Sequence, residues 1–402
     1  MVGLKEILSR MRNRALAPVL DALRGCASDI ESLSYKMDSM SSDLGGLVGG
    51  VHKNINDSRT TLFEKVEYER EVIEGAILTK DSHTKMLLWE MFRGGGESLN
   101  EARRRFFRSI PKAPEGRLRN IQQGNLKLLK IFDGICADAG LSYWIMFGTL
   151  LGSCRHSGFV PWDDDVDVCM MREDVEALAR ILKDDSRYRL AIAYDYGARS
   201  RQLRFASRDE ALPCWVDVFP CDWAFAREGD NVQDRYRSMR EEVKKRLSVD
   251  RGGFSYWKER LWLFTNGFTP QVWPIKGMQD QRLCEEESAR IDLLLLNAWN
   301  EAHREGLFVP EAKANALAFG LDNISMDDGV PSVFSREKVF PLRDMSFEGE
   351  VFKGPSEPEA LLALCYGDWL DFPDDMHSHG HIDEGFLNSE KVDIALSAWL
   401  SN

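Results

Sequence analysis

Between Leu23 and Val51 the apolar positions alternate at intervals of three and four residues: Leu23, Cys26, Ile30, Leu33, Met37, Met40, Leu44, Leu47, Val51. That spacing is the a/d seam of a coiled coil over four heptads, narrower than the stripe of a helix packed on a globular core. It weakens after Val51 and resumes through Ile55, Leu62, Val66, Ile73 and Ile77 once a four-residue stutter is allowed. Gly45, Gly46, Gly49 and Gly50 each cost about 1 kcal/mol of helix propensity and mark a hinge. The pattern predicts a self-associating helical stalk, with a helical hairpin folded on itself as the alternative.

From Leu118 the texture changes to that of an α/β domain. Leu118, Ile121, Leu128, Phe132 and Ile135 sit at helical spacing and run to Gly140, a stop signal. A strand is expected over Ser142–Phe147, then a turn at Gly148-Thr149-Leu150-Leu151-Gly152 that could aim backbone N–H groups and a helix N-terminus at phosphate. Further strands are expected at Asp165–Met170 and Cys214–Pro220, and a helix over Asp280–Arg304. The chain therefore divides near residue 115: stalk and basic linker over 1–115, one α/β domain over 116–402, with a helical, Trp-rich insert at about 225–335.

Composition adds exclusions. Lys+Arg number 52 against 65 Asp+Glu, a net charge of −13 that argues against a general nucleic-acid binder. Positive charge is instead segregated: residues 1–24 carry a net +3 and residues 101–119 a net +5. Such stretches could rest on an anionic membrane face, each near-surface charge adding about 1 kcal/mol; Pro111, Pro114 and Gly116 suit a solvated linker equally. No secretory leader is expected, since Arg10, Arg12 and Arg14 precede any apolar run. The longest uncharged stretches, Ala139–Cys154 and Leu261–Ile275, fall short of the roughly 18 apolar residues of a membrane span. Eight cysteines without a CxxC pair point to reduced thiols and a cytoplasmic protein, peripheral at the inner membrane face if the basic stretches bind lipid.

The chemistry concentrates in Pro161-Trp162-Asp163-Asp164-Asp165-Val166-Asp167-Val168, four acids in five positions running into an apolar strand. Strand alternation would put Asp165 and Asp167 on one face. Two carboxylates ~4 Å apart repel by about 4 kcal/mol at an effective dielectric near 20, so a fold that holds them together must supply a cation or raise one pKa. Mg²⁺ suits such oxygen ligands, with Mn²⁺ as the other candidate. Asp217, alone in Cys214-Trp215-Val216-Asp217-Val218-Phe219-Pro220, needs a partner or the same metal. If its strand lies beside that of Asp165, three carboxylates converge in a set suited to phosphoryl transfer. His377, His379 and His381 alternate in a loop, a weaker metal signal.

These residues resemble the LicD/fukutin-related phosphotransferase family. The likeness runs through Gly148–Gly152, Arg155-His156, the Pro161–Asp167 block and Val216–Pro220, then Val339-Phe340-Pro341, Phe347-Glu348-Gly349 and Tyr366-Gly367-Asp368-Trp369 in the same order. The resemblance implies an α/β (α+β) nucleotidyltransferase-like fold with a mixed sheet flanked by helices. It also implies transfer of a phosphorylated alcohol from a CDP-linked donor to a hydroxyl of a cell-surface glycan. Carried over, it sets Gly148 and Thr149 at the donor phosphates, Asp165 and Asp167 on the metal, Asp163 as a further ligand or support, and Asp217 as the third carboxylate. Arg155 is a candidate for the donor diphosphate or for a salt bridge to the acidic loop. The stalk is not a general feature of the family. The insert bearing Trp257, Trp262, Trp273 and Trp299 leaves the donor's head group open, a choline cage among the options. The rival readings are a DxD-type glycosyltransferase using a nucleotide sugar and a non-catalytic scaffold of a polysaccharide-assembly complex.

Overall fold

The computed structural model describes residues 82–111, 115–195, 200–227, 231–249, 285–321, 330–372 and 387–401, with short pieces at 22, 25, 28–29, 229 and 262–263. The apolar heptad positions from Leu23 to Ile77, Trp257, Trp273 and the three alternating histidines lie outside the described residues. The chain forms two compact units, residues 1–102 and 103–402. Helix α1 spans 82–92 in the first; a turn at Ser98 then opens helix α2, Leu99–Ser109, most of which belongs to the second, the Ser98 hydroxyl and N–H both donating to Glu101 in a capping box.

In the second unit the elements after α2 run α3 (Arg117–Ala139), β1 (Tyr143–Ile145), α4 (Phe147–His156), β2 (Asp167–Met171), α5 (Arg172–Leu182), β3 (Tyr188–Asp195), β4 (Ser200–Ser207), β5 (Trp215–Ala224), α6 (Val232–Val249), β6 (Trp262–Leu263), α7 (Glu285–Arg304), β7 (Ala316–Phe319), β8 (Val333–Ser335), β9 (Arg343–Phe347), β10 (Glu350–Gly354), α8 (Pro358–Tyr366) and α9 (Glu390–Ser401). The main sheet has the order β1-β2-β5-β4-β3-β6, with β7 beside the second half of β5 and β8 beyond it. β2 and β5 are parallel, and their neighbours pair antiparallel. The result is a mixed α/β unit with a mixed sheet flanked by helices. Strands β7 and β8 come from the last part of the Trp-rich stretch, so that stretch extends the sheet as well as supplying helices α6 and α7.

Local sequence explains most boundaries. Helix α3 buries Ile121, Leu128, Leu129, Phe132 and Cys136 on one stripe and stops at Gly140, whose left-handed backbone (φ 68°) lets Leu141 N–H reach the Cys136 carbonyl. β2 is buried at all five positions, as expected of a strand covered on both faces. The expected strand at Ser142–Phe147 is shorter, because Phe147 (φ 45°) already opens α4.

A second difference matters more. The strand expected from Asp165 begins only at Asp167. The carbonyls of residues 163 and 164 are held by side chains of α3: Gln122 Nε2 donates to the Asp163 carbonyl at 2.8 Å and Asn125 Nδ2 to the Asp164 carbonyl at 2.8 Å. Those carbonyls therefore find their partners on a helix rather than on a neighbouring strand, and Asp165 reaches Asp167 through a loop, not by strand alternation.

The basic stretch 101–119, which runs into the first turn of α3, is paired with acids of the second unit at several points. Arg103 pairs with Asp368 at 2.8 Å, Arg104 with Glu359 at 2.7 Å, Arg117 with Asp393 at 2.6 Å and Arg119 with Glu348 at 2.8 Å. Among the described residues no helix is long and apolar enough to cross a membrane.

Candidate functional site

The site is built where β2 and β5 lie side by side. Their parallel register places Asp167 opposite Asp217. The irregular loop ahead of β2 brings Asp165 to the same place, so one carboxylate oxygen from each of Asp165, Asp167 and Asp217 lies within 4.8 Å of the others. Asp163, Asp164 and Asp165 form an overlapping group that meets the same limit. Asp164, Asp165, Asp167 and Asp217 are all buried or nearly so, at 3, 9, 8 and 2% exposure. Mutually repelling carboxylates at such depth, offering only oxygen, suit a hard divalent cation.

Asp167 and Asp217 each have their own support. The Gly148 N–H donates to Asp167 Oδ2 at 3.1 Å, and the Asp167 N–H donates to Thr149 Oγ1 at 2.8 Å. Gly148 and Thr149 thus hold Asp167 from the first turn of α4. A Cβ on residue 148 would fall 2.6 Å from Asp163 Oδ2 and 3.4 Å from Asp167 Oδ2, so glycine is what allows the acids this close to the backbone. Asp217 accepts from Arg204 Nε and from Trp215 Nε1, both at 2.9 Å.

Arg155 sits apart from this set of contacts. It is 3% exposed, donates from Nη1 to the Trp369 carbonyl at 3.0 Å and from Nε to His156 at 3.0 Å, and lies over the Phe107 ring at 4.4 Å. Burial draws its pKa down to about 10, still charged at neutral pH. Its neighbour His156 contacts the Phe107 carbonyl through Nδ1 at 3.1 Å. In the Phe347-Glu348-Gly349 block Phe347 ends β9 and Glu348-Gly349 form the turn into β10. The Glu348 carboxylate there accepts from Phe159 N–H at 3.0 Å and ties the hairpin to the loop that carries the acids.

Several neighbours of the acids escaped sequence reasoning. Tyr366, the last residue of α8, keeps 43% of its surface open, yet its phenol is crowded enough by protein that burial pushes its pKa well above the usual value, with Asp167, Cys365, Asp163 and Asp165 adding to the effect. It keeps its proton and remains a hydrogen-bond donor beside the acids. Arg204 carried a signal that could have been used: a cation in the apolar run Leu203-Arg204-Phe205 poses the same question as Asp217 in its own strand. Gln122 and Asn125 are the polar members of α3 that fall among its buried positions.

Sheet and acid cluster together define a mixed α/β domain with a converging set of carboxylates at the junction of β2 and β5. Residues 140–248 match the family model described as LicD/FKTN/FKRP, nucleotidyltransferase domain. The match to the LicD domain model spans the stretch that holds all five acids, Asp163, Asp164, Asp165, Asp167 and Asp217. Over 59 residues it is 44% identical to the lipopolysaccharide cholinephosphotransferase LicD of Haemophilus influenzae, which covers 15% of this chain and 22% of that protein. Over 42 residues it is 48% identical to the human ribitol 5-phosphate transferase FKRP, covering 10% of this chain and 8% of that one. A Rickettsia prowazekii protein, RP689, matches at 36% over 69 residues, 26% of its length. The aligned segments span about a quarter or less of these relatives.

Proposed function

We propose that residues 116–402 form a nucleotidyltransferase-like domain that transfers a substituted phosphate group, a phosphorylated alcohol of the phosphocholine or polyol-phosphate kind, from a CDP-linked donor to a hydroxyl of a cell-surface glycan. The convergence of Asp165, Asp167 and Asp217 within 4.8 Å carries this reading, supported by the named activities of the two transferases that share the segment. In the reaction a P–O bond forms between the acceptor oxygen and the phosphorus that bears the alcohol. The bond from that phosphorus to the bridging oxygen breaks, CMP leaves and the acceptor loses its proton.

Asp165, Asp167 and Asp217 would hold Mg²⁺ or Mn²⁺, with Asp163 as a further ligand or support. The bound cation supplies neutralisation of the donor's phosphate charge. Gly148 and Thr149 fix Asp167, and Gln122 and Asn125 fix the loop backbone of the other acids. Tyr366 offers a neutral donor to a phosphate oxygen at the open side of the cluster. The stalk over 23–77 is the self-association element in the same proposal, with the basic stretch at its start resting on an anionic membrane surface on the cytoplasmic side. Light scattering of the full chain and sedimentation with anionic vesicles test those two parts.

The decisive experiment incubates the purified chain with Mg²⁺ and a panel of CDP-linked alcohols, with UDP- and GDP-sugars alongside, and detects released nucleotide by mass spectrometry. CMP from one CDP-alcohol is expected. Release from a nucleotide sugar alone would establish the glycosyltransferase instead, and no turnover or nucleotide binding at all would favour the scaffold. Asp165→Asn is expected to abolish release while the circular dichroism spectrum is unchanged.

A further inference from the structure

Asp217 lies in the middle of a row that crosses three strands. On one side the parallel register sets Asp167 opposite it; on the other, the antiparallel register sets Arg204 of β4 opposite it. Trp215, two positions earlier on β5, projects to the same face. Both carboxylate oxygens of Asp217 are thereby engaged, Oδ1 by Arg204 Nε and Oδ2 by Trp215 Nε1, each at 2.9 Å. The two donors also contact one another, the guanidinium lying 4.5 Å from the Trp215 ring centroid. Arg204 is 5% exposed and Trp215 fully buried, so little water competes for these bonds.

Each carboxylate oxygen has two lone pairs, and one donor on each leaves one lone pair per oxygen for another partner. The indole N–H and the guanidinium are rigid, planar donors, which fix the plane of the carboxylate as well as its position. Arg204 also brings a positive charge to a group of acids that repel one another. Resting on the metal reading above, we propose that Arg204 and Trp215 are positioning residues: together they clamp Asp217 so that its remaining lone pairs face a divalent cation shared with Asp165 and Asp167.

The same strand contains an internal control. Five residues on, Asp222 accepts from Arg172 through two bonds of 2.6 and 2.7 Å and from Trp299 Nε1 at 2.9 Å. This is a second arginine–tryptophan–aspartate trio, here with the arginine on both oxygens and the indole sharing Oδ1, and it lies outside the two groups of converging acids. A purely structural role for the clamp at Asp217 predicts that breaking either trio has the same kind of effect.

Mn²⁺ binding to the full-length chain, followed by electron paramagnetic resonance of the free ion, separates the cases. Trp215→Phe keeps the ring and removes the N–H; Arg204→Lys keeps the charge and removes the planar fork. Both are expected to weaken Mn²⁺ binding at least about tenfold, the usual cost of losing a partner that orients a ligand. Trp299→Phe is expected to lower the melting temperature and leave Mn²⁺ affinity at the wild-type value. Wild-type affinity in folded Trp215→Phe and Arg204→Lys, or an equal loss in Trp299→Phe, overturns the positioning role while the metal reading stands. A wild-type chain that binds no Mn²⁺ overturns the metal reading and this inference with it.

Discussion

Glycine at position 148 shows how much of the site depends on single atoms. Its N–H holds Asp167, and the missing Cβ is the space that Asp163 and Asp167 use. Gly148→Ala would press on the flexible end of Asp163, which can swing away at small cost to the fold. The expected outcome is a melting temperature close to wild type with Mn²⁺ affinity and turnover each down at least about tenfold. An unchanged Mn²⁺ titration would show that the acids do not need this approach. Thr149 acts through the backbone instead: Thr149→Val leaves the buried Asp167 N–H without its acceptor, at a cost of about 1–3 kcal/mol measurable by urea denaturation. At this scale the sequence exposed the acids, because four carboxylates in five positions before an apolar strand are costly by composition alone. It did not expose Arg204, Gln122 or Asn125 as their supports, since those partners lie 13 to 41 residues away and meet the acids only through pairing and packing.

Helix α4 links the acid loop to the rest of the domain. Its Gly152 lies against the chain as it returns toward β2: Gly158 N–H donates to the Gly152 carbonyl, and a Cβ at 152 would meet the Gly158 carbonyl oxygen at 2.3 Å. That obstacle is backbone and cannot rotate away. Gly152→Ala is therefore expected to destabilise the protein by about 1–3 kcal/mol, seen as a lower urea midpoint, and to disturb the loop carrying Asp163 and Asp165. A midpoint equal to wild type would mean that the loop can shift freely. Helix α3 was legible from periodicity and from Gly140. Its second role was not: the face that buries Leu128 and Phe132 also carries the two amides that replace strand pairing for residues 163 and 164. For that reason the strand expected from Asp165 starts two residues later.

For the whole molecule, the buried and half-buried thiols predict a pH dependence. Burial raises the pKa of Cys154 from 9.0 to about 11 and those of Cys136 and Cys365 to about 12. Between pH 9 and 10 the unfolded chain gives up these protons while the native state retains them. Stability is thus full below pH 9 and falls as pH rises toward the folded values. Tyr143, raised by burial and by its hydrogen bond to Asp133, acts in the same direction at higher pH. Arg155, lowered toward about 10 by burial, opposes the trend only above that value. The urea midpoint is expected to be lower at pH 10 than at pH 8, and equal midpoints would contradict the burial of these groups.

What the sequence determined by itself was local or compositional: the acid block, the lone Asp217, the helix stop at Gly140 and the order of the LicD-like motifs. Periodicity and composition encode these because they depend on neighbours within a few residues. Tertiary structure decided which oxygens converge and what holds them there. The parallel pairing of β2 with β5 set Asp167 against Asp217, and the antiparallel pairing of β4 with β5 set Arg204 on the far side. The contacts of α3 placed Asp165 off the strand. Register between strands distant in the chain is a cooperative property of the packed sheet, and no spacing within one segment specifies it.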